Sequence, residues 1–339
     1  MLSDMPDAAA LHRRACIADA HADSLMWNRD LNQASAEGHV DFPRLAEAGV
    51  KLQCFTVVTR GLPIIGGFPL FAAWRKWPAT ARKGEWARAC WQIDRLAEAC
   101  AKSGGRAQQP PTRAALEANV KAGRLSAILG IEGGHAIEGR VERVAELRDR
   151  GVRFMGLCHL GNNELGGAST PLAGNRPLTG LGREVLDEMA RVGLPVDVAH
   201  ASRRTLADVL AHPSALPFCS HTGVAGVTPA WRNLDDEALR AIAKRGGVVG
   251  IIFATQFLGG RDVAAVVRHI EHAVNVMGED AVGYGSDFDG MVPLPRGMRD
   301  VRDLPLVTEA LLARGHPEAW VEKVAGGNWL RFFARALPS

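Results

Sequence analysis

Short runs rich in Val, Ile, Leu and Phe, each bounded by turn residues, alternate along this chain with stretches whose apolar residues recur at helical spacing. Eight such runs stand out: Cys16 to Ala20, Leu52 to Val58, Ser126 to Ile131, Val152 to Cys158, Leu194 to Ala199, Pro217 to Ser220, Gly247 to Phe253 and Ala281 to Gly285. Between most of them lie amphipathic segments such as Arg183 to Val192 and Ser202 to Ala211. The alternation predicts an α/β chain closed into a (β/α)8 TIM barrel. An open doubly wound sheet fits less well, because no G-x-G-x-x-G follows the first run to mark a dinucleotide crevice. At 339 residues, a single barrel domain spanning 1-339 accounts for the whole chain. One stretch breaks the pattern. Gly61 to Pro111 is too long for a βα loop and carries Trp74, Trp77, Trp86 and Trp91, so a helical insertion is expected at about 61-110. Aromatic residues at that spacing favour packing into a core over a lid.

Composition narrows the partners. With 47% hydrophobic and 23% charged residues the chain is an ordinary globular protein. Its 40 Lys and Arg nearly balance 37 Asp and Glu, and no long basic run tracks a phosphate backbone, so nucleic acid is not an expected partner. Six cysteines with no C-x-x-C pair do not make a disulfide framework; Cys16, Cys54, Cys158 and Cys219 fall in apolar runs and are expected as buried thiols. Met1 to Cys16 holds no apolar leader, and nowhere do about eighteen apolar residues run without a charge. The expectation is a cytoplasmic protein that does not engage a membrane.

Barrel enzymes place their chemistry at the C-terminal ends of the strands. Six of the eight runs end there on a candidate. The first ends in Asp19-Ala20-His21-Ala22-Asp23, where alternation points His21 and Asp23 to one side. The third ends in Glu132, the fourth in His159, the fifth in His200, the sixth in His221 and the eighth in Asp287. One histidine after one strand is usually structural; this conjunction at one rim is not. Imidazole with carboxylate suits zinc and related divalent ions. His21, Asp23, Glu132, His200 and His221 are one ligand too many for a single open tetrahedral site, whereas two metals sharing a carboxylate would use all five, with Glu132 as the natural bridge. Two ions about 3.5 to 4 Å apart can hold a hydroxide at neutral pH, which removes the need for an activated Ser or Cys. Accordingly no G-x-S-x-G elbow is present, and Cys158 and Cys219 should point away from the neighbouring histidines.

These residues, with Gly38-His39-Val-Asp41-Phe-Pro-Arg-Leu45, Ile131-Glu132-Gly-Gly-His135, Asp197-Val-Ala-His200-Ala-Ser202, Ser220-His221, Arg232-Asn233 and Gly285-Ser-Asp287-Phe-Asp289-Gly290, resemble the membrane dipeptidase (renal dipeptidase) family of zinc peptidases from about Ile17 to Phe333. The resemblance implies two Zn2+ per chain, one held by His21 and Asp23, the other by His200 and His221, with Glu132 bridging. It also implies that His159 contacts the scissile carbonyl or its oxyanion, that Arg232, with Asn233 beside it, binds the substrate's C-terminal carboxylate, and that Asp287 carries the proton to the leaving amine. Asp289 is expected to brace the turn. His12, His39, His135, His212, His269, His272 and His316 are given no ligand role. The implied activity is zinc-dependent hydrolysis of dipeptides. Its alternative is another metal-dependent amidohydrolase acting on an N-acyl amino acid or related carboxylate-bearing amide, although such enzymes usually show H-x-H on the first strand. A non-catalytic scaffold would have lost a ligand, and none is lost.

The chain also departs from parts of the family. The loop Leu160-Gly-Asn-Asn-Glu-Leu-Gly-Gly167 resembles bacterial members, and Phe253-Ala-Thr-Gln-Phe257 stands where some members carry a substrate-binding Tyr. The lipid anchor of vertebrate members is not carried over to the polar-interrupted segment Asn328 to Ala336. Barrels of the family often dimerise, so a homodimer is open to this chain without a legible interface.

Overall fold

A computed structural model describes residues 7–61 and 67–339. Its strands are β1 (Ile17–Ala22), β2 (Val50–Val58), β3 (Ala107–Gln108), β4 (Leu125–Glu132), β5 (Val152–Gly156), β6 (Val196–Asp197), β7 (Pro217–Thr222), β8 (Val249–Ile251) and β9 (Val282–Tyr284). They pair in the order β2-β1-β9-β8-β7-β6-β5-β4, and β2 pairs β4 to close the ring. Every pairing is parallel, from Leu52 opposite Ser126 to Val58 opposite Glu132 where the ring closes. This is the predicted (β/α)8 barrel. The two-residue β3, which the hydrophobic pattern does not reveal, lies alongside the start of β4.

The strands follow from their sequences, since a parallel strand covered on both faces reads as a continuous apolar run, and β1 and β4 are buried at every position. Phe154 of β5 and Phe218 of β7 pack edge to face at 5.2 Å, in one cluster with Ala18, Leu52, Cys54 and Ile128 from β1, β2 and β4. Strands that are not neighbours share only the barrel interior, so this cluster fills it. Trp329, Phe332 and Phe333 of the last helix, Asn328–Ala336, join the same cluster. Gly130 is small for a reason: a Cβ there would stand 2.0 Å from the Phe154 ring. A larger cluster lies between the strands and the outer helices. Those helices start on side-chain caps, with Thr179, Ser202, Asp235 and Asp262 each accepting from the N–H three residues on.

The strand ends differ from the hydrophobic pattern by one or two residues, and the fifth, seventh and eighth runs lose residues at both ends. The fifth run shrinks from Leu194–Ala199 to β6, because Asp197 Oδ1 accepts from Ala199 N at 3.0 Å and Ser220 N at 2.9 Å, turning the chain before His200. The seventh and eighth runs shorten to the three-residue β8 and β9. Of the expected buried thiols, Cys54, Cys158 and Cys219 are buried, while Cys16 is half-buried just before β1.

Within the stretch expected as a helical insertion, residues 62–66 lie outside the described residues; the remainder forms helices Gly67–Trp74 and Glu85–Lys102 joined by a 3-10 turn at Ala79–Arg82, and then the strand β3. Trp77 is buried, packs against Trp91 with tilted rings whose centroids are 4.3 Å apart and donates Nε1–H to Met26 O. Together with Phe68, Ala72 and Val58 they form a small core over the ends of β1 and β2, while Trp74 is exposed. No helix among the described residues is long and apolar enough to cross a membrane.

Candidate metal centre

At the C-terminal end of the ring, side chains from β1, β4 and β7 and from the turns after β5, β6 and β9 converge. Glu132, the last residue of β4, is at the middle. Its Oε1 lies 3.0 Å from His200 Nε2, 3.4 Å from His21 Nε2 and 3.6 Å from His221 Nε2, and its Oε2 lies 3.5 Å from His159 Nε2. His21 Nε2 is also 3.5 Å from Asp23 Oδ1 and 4.0 Å from Asp287 Oδ1. The Nε2 atoms of His200 and His221 stand 3.0 Å apart. All five expected ligands are therefore brought together, along with His159 and Asp287.

Two of these residues hold unusual backbone. His200 has φ 63° and Asp287 has φ 64°, a left-handed conformation that costs a non-glycine residue energy and clusters at functional sites. Beside Asp287 the next turn leaves no space: a Cβ at Gly290 would stand 2.1 Å from its Oδ1. Asp289 braces this turn as expected, accepting from Ser24 Oγ and Arg29 Nη2 at 2.5 Å each and from His39 N at 2.7 Å.

The electrostatics describe a cluster short of positive charge. Burial, reinforced by Arg232 and the neighbouring imidazoles, holds His200 and His221 well below the usual histidine range and so neutral. Burial pushes Glu132 up, and it pushes Asp287 well up with help from Asp23 and Glu132. At His21 burial works downward, but the carboxylates of Glu132, Asp23 and Asp287 outweigh it and raise the ring to about 10. Carboxylates and imidazole nitrogens crowded this closely out of water are the arrangement a divalent cation relieves. Glu132 Oε2 is buried without a hydrogen-bond partner. Three overlapping groups each bring three donor atoms within 4.8 Å: His21, Glu132 and His221; Glu132, His159 and His200; His21, Asp23 and Asp287. Nitrogen and carboxylate donors in this set fit zinc or a related ion.

Around the donors opens a cavity of about 720 Å³, lined by Asp23, Glu132, His159, Arg232 and Asp287 and by an apolar mouth. Arg232 is buried and donates Nη2–H to His221 O at 2.8 Å; among the described residues it has no salt-bridge partner. His159 donates Nδ1–H to Arg60 O at 2.8 Å, which turns Nε2 toward Glu132. Asn233 departs from expectation. It is not part of the cavity wall; its amide donates to Thr228 O and Phe257 O, each at 2.8 Å, and ties two loops together.

The groups that orient the donors carry no signature in the hydrophobic pattern. Ser220 Oγ lies 2.8 Å from His221 Nδ1 and 3.2 Å from His21 Nδ1, and Thr56 Oγ1 lies 2.6 Å from Asp23 Oδ1. Asp19, fully buried, accepts from Ser286 N, Ser286 Oγ and Gln53 Nε2, tying β1 to β2 and to the turn after β9.

The family model described as membrane dipeptidase (peptidase family M19) matches residues 5–337. An uncharacterised protein in the pqqA 5' region of Klebsiella pneumoniae is 31% identical over 252 residues, covering 71% of this chain and 93% of that one. A metallo peptidase from Rhodobacter sphaeroides, solved with a phosphinate mimic of the dipeptide L-Ala-D-Ala, is 28% identical with a TM-score of 0.81 over 95% of this chain and 99% of its own. A metallo peptidase described as dipeptidase AC is 26% identical with a TM-score of 0.80 over 96% and 99%.

Proposed function

Because the chain belongs to the membrane dipeptidase family, a family of metallopeptidases, we propose that it hydrolyses the amide bond of dipeptides in the cavity over its metal centre. One observation carries the substrate assignment. Arg232 is a buried guanidinium facing that cavity that forms no salt bridge among the described residues, and a substrate carboxylate is the anion that completes it. The Rhodobacter relative, solved with a dipeptide mimic, supports the same substrate class.

His21 and Asp23 would hold one Zn2+, His200 and His221 a second, and Glu132 would serve both, in keeping with its central position among the imidazoles. Bound there, the ions would supply a water of lowered pKa and polarisation of the scissile carbonyl. Arg232 fixes the C-terminal carboxylate, which sets the amide over the donors and makes attack effectively unimolecular. His159, whose Nδ1–H is taken by Arg60 O, presents Nε2 to the cavity where the amide oxygen gains charge. Asp287 receives the proton that water loses as the C–O bond forms and passes it to the amide nitrogen as the C–N bond breaks. Burial and the nearby carboxylates raise its affinity for a proton above that of an exposed carboxylate, which suits the ionised group to take the proton from water.

The test is an assay of zinc-loaded protein on L,L- and L,D-dipeptides, N-acyl amino acids and a lactone, repeated after chelation and with His200→Ala. Chelator-sensitive dipeptide cleavage that His200→Ala abolishes supports the reading. Metal-loaded protein that turns over no dipeptide sinks it.

A further inference from the structure

Among the described residues, the large apolar side chains that stand exposed are Leu70, Trp74, Leu172, Trp231 and Met291. Three of these five, Leu172, Trp231 and Met291, line the mouth of the cavity above the metal centre. Single exposed apolar residues are ordinary on a soluble protein, but three gathered at one opening mark a surface that meets something apolar.

The rim is built and not loose. Leu172 is fully exposed on the short turn Pro171–Ala173, yet the loop that carries it is pinned. Ser169 N donates to His200 O at 2.7 Å, Asn162 Nδ2 to Ala173 O at 2.6 Å and Thr170 Oγ1 to Leu160 O at 3.1 Å. Met291 is held outward by a left-handed backbone at φ 59°, just past the turn that Asp289 anchors on Ser24 and Arg29. Trp231 packs edge to face on Phe257 with ring centroids 5.3 Å apart, and Phe257 lines the same cavity. A surface fixed in advance binds without first having to be ordered.

Its position relative to Arg232 says which part of a substrate it meets. In the last residue of a peptide the carboxylate and the side chain leave the same Cα, so a carboxylate on Arg232 keeps that side chain close to the wall Arg232 shares with Trp231 and Phe257. Resting on the dipeptidase reading above, we propose that Trp231, Phe257, Met291 and Leu172 form an apolar subsite that selects substrates with a large apolar C-terminal residue. Leucine or phenylalanine there covers the rim, whereas alanine leaves it wet.

Steady-state kinetics on Ala-Ala, Ala-Leu and Ala-Phe test this, with the zinc-loaded wild type, the Leu172→Ser/Met291→Ser double variant and Trp231→Gln. Both sets of positions face solvent, so the fold tolerates the changes. The wild type is expected to favour Ala-Phe over Ala-Ala in kcat/KM by about tenfold or more, and the variants to shrink that ratio several-fold with the loss falling on KM. A ratio near one in the wild type overturns the subsite, as does a ratio that the variants leave unmoved. A double variant with altered sedimentation and an unmoved ratio would make the rim a contact between copies of the chain, which also overturns it. If no dipeptide is cleaved at all, the dipeptidase reading fails on its own account. The subsite is then judged by the same ratio for N-acetyl-phenylalanine against N-acetyl-alanine, or, where neither amide is turned over, by their competition as ligands of the metal-loaded protein.

Discussion

The hydroxyl of Ser220 stands 2.8 Å from Nδ1 of His221. The same oxygen is 3.2 Å from Nδ1 of His21. A hydroxyl oxygen has two lone pairs, so it can accept Nδ1–H from both rings; both Nε2 atoms face Glu132, that of His221 bare and that of His21 free to give up its proton when a cation binds. One small side chain thereby sets the tautomer of two histidines of the centre. Ser220→Ala is expected to lower metal affinity by about 10- to 100-fold while the far-ultraviolet circular dichroism stays native. Competition against a chromophoric chelator measures it, and an affinity equal to wild type would remove Ser220 from this role.

Metal should also be part of the fold's stability. Without a cation, Glu132, Asp23 and Asp287 are crowded against imidazoles that burial keeps from charging, except for His21. At free zinc about a thousandfold above its Kd, stabilisation of about 4 kcal/mol is expected. Thermal unfolding of chelated and zinc-loaded protein reads this as a rise in Tm, and Glu132→Gln should lose most of the rise. A Tm indifferent to chelation would count against a resident metal.

Arg232→Met tests carboxylate recognition. Charge-assisted hydrogen bonds contribute about 1.5 to 3 kcal/mol, so kcat/KM for a dipeptide should fall by roughly 10- to 150-fold. The sharper readout is discrimination: the wild type should prefer a dipeptide to its C-terminal amide, and the variant should treat the two alike. Equal treatment by the wild type would mean that Arg232 meets something else.

What could be read from the chain, and what could not, divides along physical lines. Period and composition are local properties, so the eight strands and the histidines at their ends were legible: a barrel gathers strand ends at one rim whatever their distance in sequence. The contacts between those residues were not. Ser220 meets His21 across 199 positions only because the ring closes, and it shares a side with His221 because the register of β7 shifts between Cys219 and Thr222. Strict alternation would have sent the two apart. The early end of β6 depends on one carboxylate, Asp197, capturing two N–H groups, which no hydrophobic pattern encodes. Asn233 was misplaced for a related reason. It adjoins Arg232 in sequence, but its amide answers the carbonyls of Thr228 and Phe257 and turns from the cavity.

His269 gives a pH dependence of stability away from the metal. It is fully buried on the helix Val263–Met277, where its Nδ1 accepts from Val224 N at 2.9 Å and its Nε2–H faces Leu258 O at 3.2 Å. Burial holds its pKa down at about 4, against 6.5 for an exposed ring. A second proton would set N–H against N–H at Val224, in the loop that runs from β7 to Arg232. The unfolded chain therefore binds more protons between those two values, and stability must rise with pH across that window. The contribution is fully present above 6.5 and is lost as pH falls toward 4, by about 3 kcal/mol at most. His269→Asn keeps an acceptor for Val224 N but cannot titrate. It should be less stable than wild type at pH 7.5, with the gap narrowing by about 2 kcal/mol at pH 5 in guanidinium unfolding. A gap that stays constant between the two pH values would show that His269 is not the linked group.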